Sequence, residues 1–313
     1  MKIEKTPILS VCVITYGHEY FIEKSLQSIL MQECDFEYNI IVCNDNSPDN
    51  TEDKVQSILK NHPKSSLIKY HNHEKNIGAM PNFLFALQKC NGKYIAICEG
   101  DDYWIDKNKI QNQVSFLENN KDYSLCFTSR NVIDENEKVI SKEIYEFKDW
   151  TTLDIINGII PPTQTIISKN LSNEFIDFYT KHLGSFGADK LYSYFYSQKG
   201  KIKSLPDITS VYRNNGFGIW TKHNAYKKII LHIDESLKFY KIIACNKREF
   251  TLYKSMLFRR VFIKLNFEFI KYPARTLKLY VKIVVKYKPS LNSMLKASYD
   301  FFNYYFNLVL KKS

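Results

Sequence analysis

Short apolar runs alternate with helix-spaced apolar positions along the first part of the chain. Ile8-Leu9-Ser10-Val11-Cys12-Val13-Ile14-Thr15 reads as a strand. Phe21, Leu26, Ile29 and Leu30 space a helix over Tyr20 to Met31. Tyr38 to Cys43 is a second strand, ending in Asn44-Asp45-Asn46-Ser47, and Val55, Ile58 and Leu59 mark the next helix. Ser66 to Tyr70 is a third strand, followed by a polar loop through Asn76-Ile77-Gly78. Ala79 to Cys90 is helical, with Pro81 in its first turn, where a missing N–H costs nothing. Lys93 to Cys98 is a buried strand. Beyond it, Ile110, Val114, Phe116 and Leu117 predict a helix, Ser124 to Ser129 a strand, and residues 140–160 irregular chain. Thr163 to Ser168 reads as a strand and Leu191 to Tyr196 as a helix. Lys201 to Arg213 supplies strand segments that close the sheet, and from about Lys222 the pattern is helical. Strands alternating with single helices predict right-handed crossovers and a mostly parallel, Rossmann-type α/β sheet flanked by helices. Such sheets bind ligands at the carboxyl ends of their strands.

Charge divides the 313 residues unevenly. The net charge is +11, but residues 222–313 hold 20 Lys+Arg against 5 Asp+Glu, and residues 1–221 are net acidic. The expected organisation is a ligand-binding and catalytic domain over 1–221 and a basic, aromatic helical extension over 222–313. In the extension, Leu277, Leu279, Val281, Ile283, Val284 and Val285 interleave with lysines. Phe301, Phe302, Tyr304, Tyr305 and Phe306 precede Lys311-Lys312. This pattern suits an anionic membrane interface or packing on the core, and the division of charge argues against nucleic acid as the ligand of the acidic domain. Seven cysteines include no CxxC pair, and several sit in apolar runs, as expected of free thiols in a reducing compartment. The chain opens without a signal-peptide pattern and holds no run long enough to span a bilayer. It is expected to be cytoplasmic, or peripheral at the inner face of the membrane.

The candidate chemistry centres on Glu99-Gly100-Asp101-Asp102-Tyr103-Trp104, directly after a buried strand. Adjacent carboxylates repel and resist burial unless a positive charge intervenes. Mg²⁺ or Mn²⁺ would supply it; an acidic turn capping a helix near Asp106 is the plainer alternative. Thr15, Asp45 and Asp101 all fall at strand carboxyl ends, and that agreement of phase favours a site. Neither G-x-G-x-x-G nor a P-loop is present.

Val13-Ile14-Thr15-Tyr16, Asn44 to Thr51, Asn76-Ile77-Gly78, Glu99 to Trp104 and Ser210-Val211-Tyr212-Arg213, in that order over roughly residues 7–220, resemble the family 2 glycosyltransferases. These are inverting enzymes of the GT-A fold, and the subgroup is similar to bacterial enzymes of surface-polysaccharide synthesis. The resemblance implies transfer of a sugar from a nucleotide-sugar donor, a UDP-sugar by family frequency, to a glycan or lipid-linked acceptor. It implies that Thr15 and Asp45 hold the nucleobase and ribose, with an Asx turn as the alternative for Asp45. Asn76 and Gly78 would lie by the donor, and Asp102 would contact ribose or sugar. Asp101 would bind the metal, Glu99 standing where the motif's first acid belongs. Arg213 would balance the leaving diphosphate, with Asn215 where the family often has His. Asp189 would be the catalytic base, with simple helix capping as its alternative. His18, in the first βα loop, reads as an exposed loop histidine, with a place near the donor as its alternative. The competing functions are a sugar-phosphate nucleotidyltransferase and a catalytically inactive membrane-associated binding protein.

Overall fold

The computed structural model describes residues 6–156, 158–182 and 188–214, with positions 231, 239 and 242. Chain contacts divide it into one unit of Met1–Leu183 and Ala188–Gly216 and a second of Gly184–Gly187 and Phe217–Ser313. Apart from those three positions, the expected extension over 222–313, with its Lys-rich and aromatic stretches, lies outside the described residues.

The first unit begins as the pattern predicts. β1 (Leu9–Thr15), α1 (Ile22–Leu30), β2 (Tyr38–Asn44), α2 (Thr51–Asn61), β3 (Ile68–Asn72), α3 (Ala79–Lys89) and β4 (Tyr94–Ile97) follow one another. β1 pairs in parallel with β2 and β4, and β2 with β3. Covered on both faces, β1, β2 and β4 are buried almost throughout, which explains their continuous rather than alternating apolar sequence. α1 docks through Ile22, Leu26, Ile29 and Leu30, all at most 1% exposed, at the spacing of one helix face.

The second half is more varied. β5 (Tyr103–Trp104), α4 (Lys109–Asn119) and β6 (Tyr123–Ile133) precede β7 (Val139–Glu143), β8 (Lys148–Trp150) and α5 (Thr152–Ile156). β9 (Ile167–Lys169), α6 (Ser172–Lys181), α7 (Ala188–Ser197) and β10 (Lys201–Arg213) complete the unit. The sheet order is β3-β2-β1-β4-β9-β6-β10-β5, with β7 on β6 and β8 on β10. The sheet is therefore mixed. It is parallel through β3-β2-β1-β4 and in the β6–β10 pair, while β9, β5, β7 and β8 run antiparallel to their neighbours. Residues 140–160 are not irregular: they hold β8, α5 and most of β7. β7 is exposed along nearly all its length, so it carries no two-residue alternation for a sequence pattern to show. The strand expected from Thr163 starts only at Ile167. Pro162 opens a 3₁₀ turn closed by Thr165 N–H to Pro162 O (2.9 Å) and Ile166 N–H to Thr163 O (3.2 Å).

One backbone approach sets the spacing of the central strands. Gly92 lies so close to β1 that a Cβ would sit 2.5 Å from Ser10 N and 2.6 Å from Leu9 C. Its N–H and that of Asn91 donate to the buried Ser10 hydroxyl (2.8 and 3.1 Å). Gly92→Ala should cost about 1–3 kcal/mol, because the obstructing atoms are backbone and cannot rotate away. Urea denaturation of wild type and variant measures this; an unchanged midpoint would show that β1 and the turn before β4 separate freely.

Candidate active site

The parallel register lines up the strand ends. Thr15 pairs with Asn44, and Asn44 with Asn72, while Gly100 N–H reaches Ile14 O (2.9 Å) beyond the end of β4. Four loops of this one unit therefore leave the sheet on the same edge.

In the second loop, Asp45 is 1% exposed. Its N–H donates to Thr15 O (3.0 Å). Its two carboxylate oxygens accept the N–H groups of Ile77 (2.7 Å) and Gly78 (2.8 Å) at the start of α3, where a carboxylate offsets the helix dipole. Gly78 has φ +95° and ψ 152°, a backbone region essentially confined to glycine. Asp45 and Gly78 thus form one built unit, with Asn76 exposed beside it. Carboxylate oxygens keep further lone pairs when each accepts one bond.

The acidic stretch is held through its backbone. Cys98 N–H donates to Cys12 O and Asp102 N–H to Glu99 O (both 3.0 Å). Buried polar residues on α1 and just past its end fix the rest. Ser25 Oγ–H donates to Glu99 O (3.3 Å), Ser28 Oγ accepts Trp104 N–H (3.0 Å), and Gln32 Nε2 donates to Asp106 O (2.8 Å). The fully packed Trp104 donates its indole N–H to Gln164 O (2.9 Å). Gly100 is required by space: a Cβ would meet Thr15 Oγ1 at 2.7 Å and His18 Nδ1 at 2.9 Å. Beneath the stretch lies Lys109, fully buried, its amine donating to Thr165 O (3.1 Å) and to Gln113, and resting 5.0 Å from the Trp104 ring. Burial lowers this amine to about 7.

The carboxyls strain against one another. Glu99 retains some exposed surface, yet its carboxyl is enclosed. Burial, then the charges of Asp101 and Asp189, push it up to about 8, against a smaller pull from Arg130. Asp102 is 1% exposed. Burial, Asp101 and Glu99 raise it well above the carboxylate range, while the Arg213 N–H and the Arg130 charge oppose them. Its Oδ1 accepts Arg213 N–H (3.0 Å) and its buried Oδ2 has no hydrogen-bond partner. The Tyr212 hydroxyl is raised by burial and then by Asp102, Glu99 and Asp101, so it too feels this cluster.

The two nearby guanidiniums are committed elsewhere. Arg213 is 6% exposed. Its Nη1 donates to Glu137 (2.8 Å), and its face lies 5.1 Å from the Phe21 ring and 4.8 Å from that of Tyr103. Arg130 makes two 3.0 Å bonds to the Glu143 carboxylate and stacks on Tyr212 (4.6 Å). Asp189 lies in the first turn of α7, exposed, with its Oδ1 accepting Lys190 N–H (2.8 Å). Its charge on Glu99 links it to the acidic stretch.

Sequence reasoning missed two contributors and set a third aside as loop structure. Arg130 and the Ser25–Ser28–Gln32 stripe carry no motif; the stripe's one signal is polar residues at helical spacing on a face otherwise apolar. The third is His18, which is not an exposed loop residue. It is partly buried, with Nδ1 3.1 Å from Thr15 Oγ1 and Nε2 3.9 Å from Asp101 Oδ2.

Among the described residues no three His, Cys, Asp or Glu side chains converge as a ready metal-ligand set. The acidic stretch nevertheless fits a hard divalent ion. Its donors are carboxylate oxygens, Asp102 Oδ2 is an orphan, and Mg²⁺ ordinarily takes one or two protein carboxylates and completes its shell with substrate phosphates.

The sequence profile of glycosyl transferase family 2 matches residues 10–176, more than half of the chain. The chain belongs to this family. An uncharacterised protein of Mycobacterium tuberculosis is 27% identical over 230 residues, 70% of this chain and 61% of the relative. The UDP-Glc:alpha-D-GlcNAc-diphosphoundecaprenol beta-1,3-glucosyltransferase of Escherichia coli is 31% identical over 168 residues, 54% of this chain and 63% of that enzyme. The chain thus spans less than two thirds of the length of these relatives. The fold is GT-A. S. aureus TarS 1–349 in complex with UDP-GlcNAc superposes with TM-score 0.58 at 17% identity, covering 94% of this chain and 80% of that one. The mannosyltransferase PcManGT of Pyrobaculum calidifontis, in complex with GDP-Man and Mn²⁺, gives 0.54 at 14%, covering 95% and 87%.

The perturbed Glu99 has a consequence for stability. Its folded-state value lies above its ordinary 4.5, so between about pH 4.5 and about pH 8 the folded protein holds a proton that the unfolded chain has released. Stability falls as pH rises through this window, by at most about 1.4 kcal/mol per unit. Glu99→Gln should remove that fall, so the variant gains on wild type as pH rises. Urea denaturation at about pH 5 and about pH 8 tests the sign; a constant difference between the two proteins would place the Glu99 proton outside the folding equilibrium.

Proposed function

We propose that this chain is an inverting glycosyltransferase that moves a sugar from a nucleotide-sugar donor, a UDP-sugar as the first choice, to a glycan or lipid-linked acceptor of surface-polysaccharide synthesis. The observation that carries the reading is the shared sheet edge. The Thr15 and Asp45 loops stand at the ends of adjacent strands, and the acidic stretch lies next to Thr15. The Asp189 charge is felt at Glu99. The relatives and neighbours support it: the E. coli enzyme is named for a UDP-Glc donor, and TarS 1–349 is seen in complex with UDP-GlcNAc.

In this reading Thr15 and the remaining lone pairs of Asp45 take the base and ribose, with Asn76 and Gly78 lining the donor. Asp102 faces ribose or sugar. Arg213, steadied by Glu137 and two aromatic faces, adds positive charge beside the diphosphate. Asp101, with Glu99 behind it, would hold Mg²⁺ or Mn²⁺, whose charge stabilises a departing nucleoside diphosphate. Asp189 accepts the proton of the acceptor hydroxyl as that oxygen bonds to C1 of the sugar and the C1–O bond to the diphosphate breaks. The net result is one glycosidic bond made, one sugar–phosphate bond broken and one proton on Asp189.

The decisive measurement is a calorimetric titration of wild type and Asp101→Ala with UDP, GDP and dTDP, with and without Mn²⁺. One diphosphate should bind wild type with Mn²⁺-dependent affinity, and Asp101→Ala should lose that dependence. Failure of folded wild type to bind any nucleotide would favour the inactive binding protein. Asp189→Asn should keep donor affinity within about twofold and lower transfer by about 10²–10⁴-fold. Wild-type turnover in that variant would remove Asp189 from the reaction.

The basic extension over 222–313 is proposed to carry the enzyme to an anionic membrane surface, where a lipid-linked acceptor would lie. Deleting residues 273–313 should then abolish sedimentation with phosphatidylglycerol vesicles while leaving nucleotide binding intact. Undiminished sedimentation would assign the tail to packing instead.

A further inference from the structure

The first βα loop is built more firmly than a connector requires. Gly17, at φ +71°, turns the chain, and three successive N–H groups are then taken by side chains of the second loop. Gly17 N–H donates to Ser47 Oγ (3.0 Å), His18 N–H to Thr51 Oγ1 (2.9 Å) and Glu19 N–H to Asp49 Oδ2 (3.0 Å). In return, Glu19 Oε2 accepts the Asn50 N–H (3.2 Å) and side-chain amide (2.7 Å). Asp49 Oδ1 accepts both the N–H and the hydroxyl of Thr51 (3.1 and 2.6 Å). The Ser47-Pro48-Asp49-Asn50-Thr51 part of the second motif thus serves to hold the backbone on either side of His18.

The imidazole held this way spans two parts of the site. Nδ1 is 3.1 Å from Thr15 Oγ1 and Nε2 is 3.9 Å from Asp101 Oδ2. Gly100 lies directly against it, with no room for a Cβ. A lone pair on Nε2 facing the carboxylate would be repelled. The favoured neutral tautomer therefore carries its proton on Nε2 and accepts the Thr15 hydroxyl at Nδ1. The 3.9 Å separation exceeds hydrogen-bond length; a small rotation of the carboxylate or one bridging water closes it.

We infer that His18 is a positioning residue for Asp101, its ring restricting the carboxylate to the orientation in which it takes a divalent cation together with the donor diphosphate. This role rests on the donor-site reading above. It couples the end that binds the nucleoside, through Thr15, to the end that binds the metal, through one ring that cannot bend. An outer partner of this kind typically contributes 10–100-fold to metal affinity.

The test uses the full chain and whichever of UDP, GDP and dTDP binds it, titrated calorimetrically with Mn²⁺ and with chelator. Four variants accompany wild type: His18→Ala, His18→Phe, His18→Gln and Asp101→Ala. His18→Ala should lose about tenfold or more of the gain in affinity that Mn²⁺ brings and keep the metal-free affinity near wild type. His18→Phe, which fills the same space without an N–H, should lose the gain as well, whether or not Ala loosens the loop. His18→Gln, whose amide N–H reaches about as far as Nε2, should recover most of it. A full Mn²⁺ gain in Ala and Phe, or equal losses with and without metal, would overturn the role and leave His18 as loop packing. If wild type gains nothing from Mn²⁺, or Asp101→Ala keeps the gain, the donor-site reading itself fails and the role falls with it.

Discussion

Three carboxyl groups within four residues repel one another at the end of a buried strand, and much of the domain is arranged to keep them there. A carboxylate taken out of water without a partner costs several kcal/mol. Among the described residues, the two arginines that act on these acids have their guanidiniums paired with other carboxylates. Arg130 is bound to Glu143 and Arg213 to Glu137, and each acts on the acids from a distance or through a backbone N–H. The result is a proton retained on Glu99 up to about 8 and a buried Asp102 oxygen with no hydrogen-bond partner. A divalent cation bound there, as proposed, would offset that repulsion.

Because the side chains repel, the backbone must hold them. Cys98 and Gly100 continue the hydrogen-bond ladder with β1. Ser25 grips the first acid by its carbonyl, Ser28 takes the Trp104 N–H beyond the last, Gln32 holds the Asp106 carbonyl, and Arg213 N–H reaches across from β10. Trp104 anchors the downstream end in the core. The grip of α1 depends on its apolar face: Leu26, Ile29 and Leu30 fix the helix on the sheet, and only then do Ser25 and Ser28 meet the loop. Packing sets the helix and the helix sets the acids.

The elements through β4 were legible because buried parallel strands are written as unbroken apolar runs, as in Val11-Cys12-Val13-Ile14 and Ile40-Ile41-Val42. β7 was not, since a ribbon exposed on both faces leaves no periodic trace. Placement was legible where a carboxylate follows a buried apolar run, as with Asp45 just past β2 and Asp101 in the loop after β4. It was illegible where a role depends on distant pairing. Nothing near Asp45 in sequence reveals that its carboxylate takes the N–H groups of Ile77 and Gly78. Nothing near His18 reveals that residues Ser47 to Thr51 will hold its loop, because that pairing exists only once β1 and β2 are side by side.

The two loops that follow β1 and β2 show why the second motif is long. Of the residues in this motif, Asp45 alone is proposed to meet the ligand. Asn44 and Ser47 shape the turn: Asn44 Oδ1 accepts both the N–H and the hydroxyl of Ser47 (3.1 and 2.5 Å), and Asn46 adopts φ +55°, which asparagine tolerates better than most residues. Asp49, Asn50 and Thr51 then close on the neighbouring loop. A flexible pair of loops would lose conformational entropy each time a ligand bound, at roughly 1–2 kcal/mol per residue ordered. Here that ordering is completed during folding, by side chains that need never touch the ligand. A stretch of Asn, Asp, Ser and Thr that looks like ordinary turn composition is better understood as the frame that brings Thr15, His18 and Asp101 to one edge of the sheet before any ligand is bound.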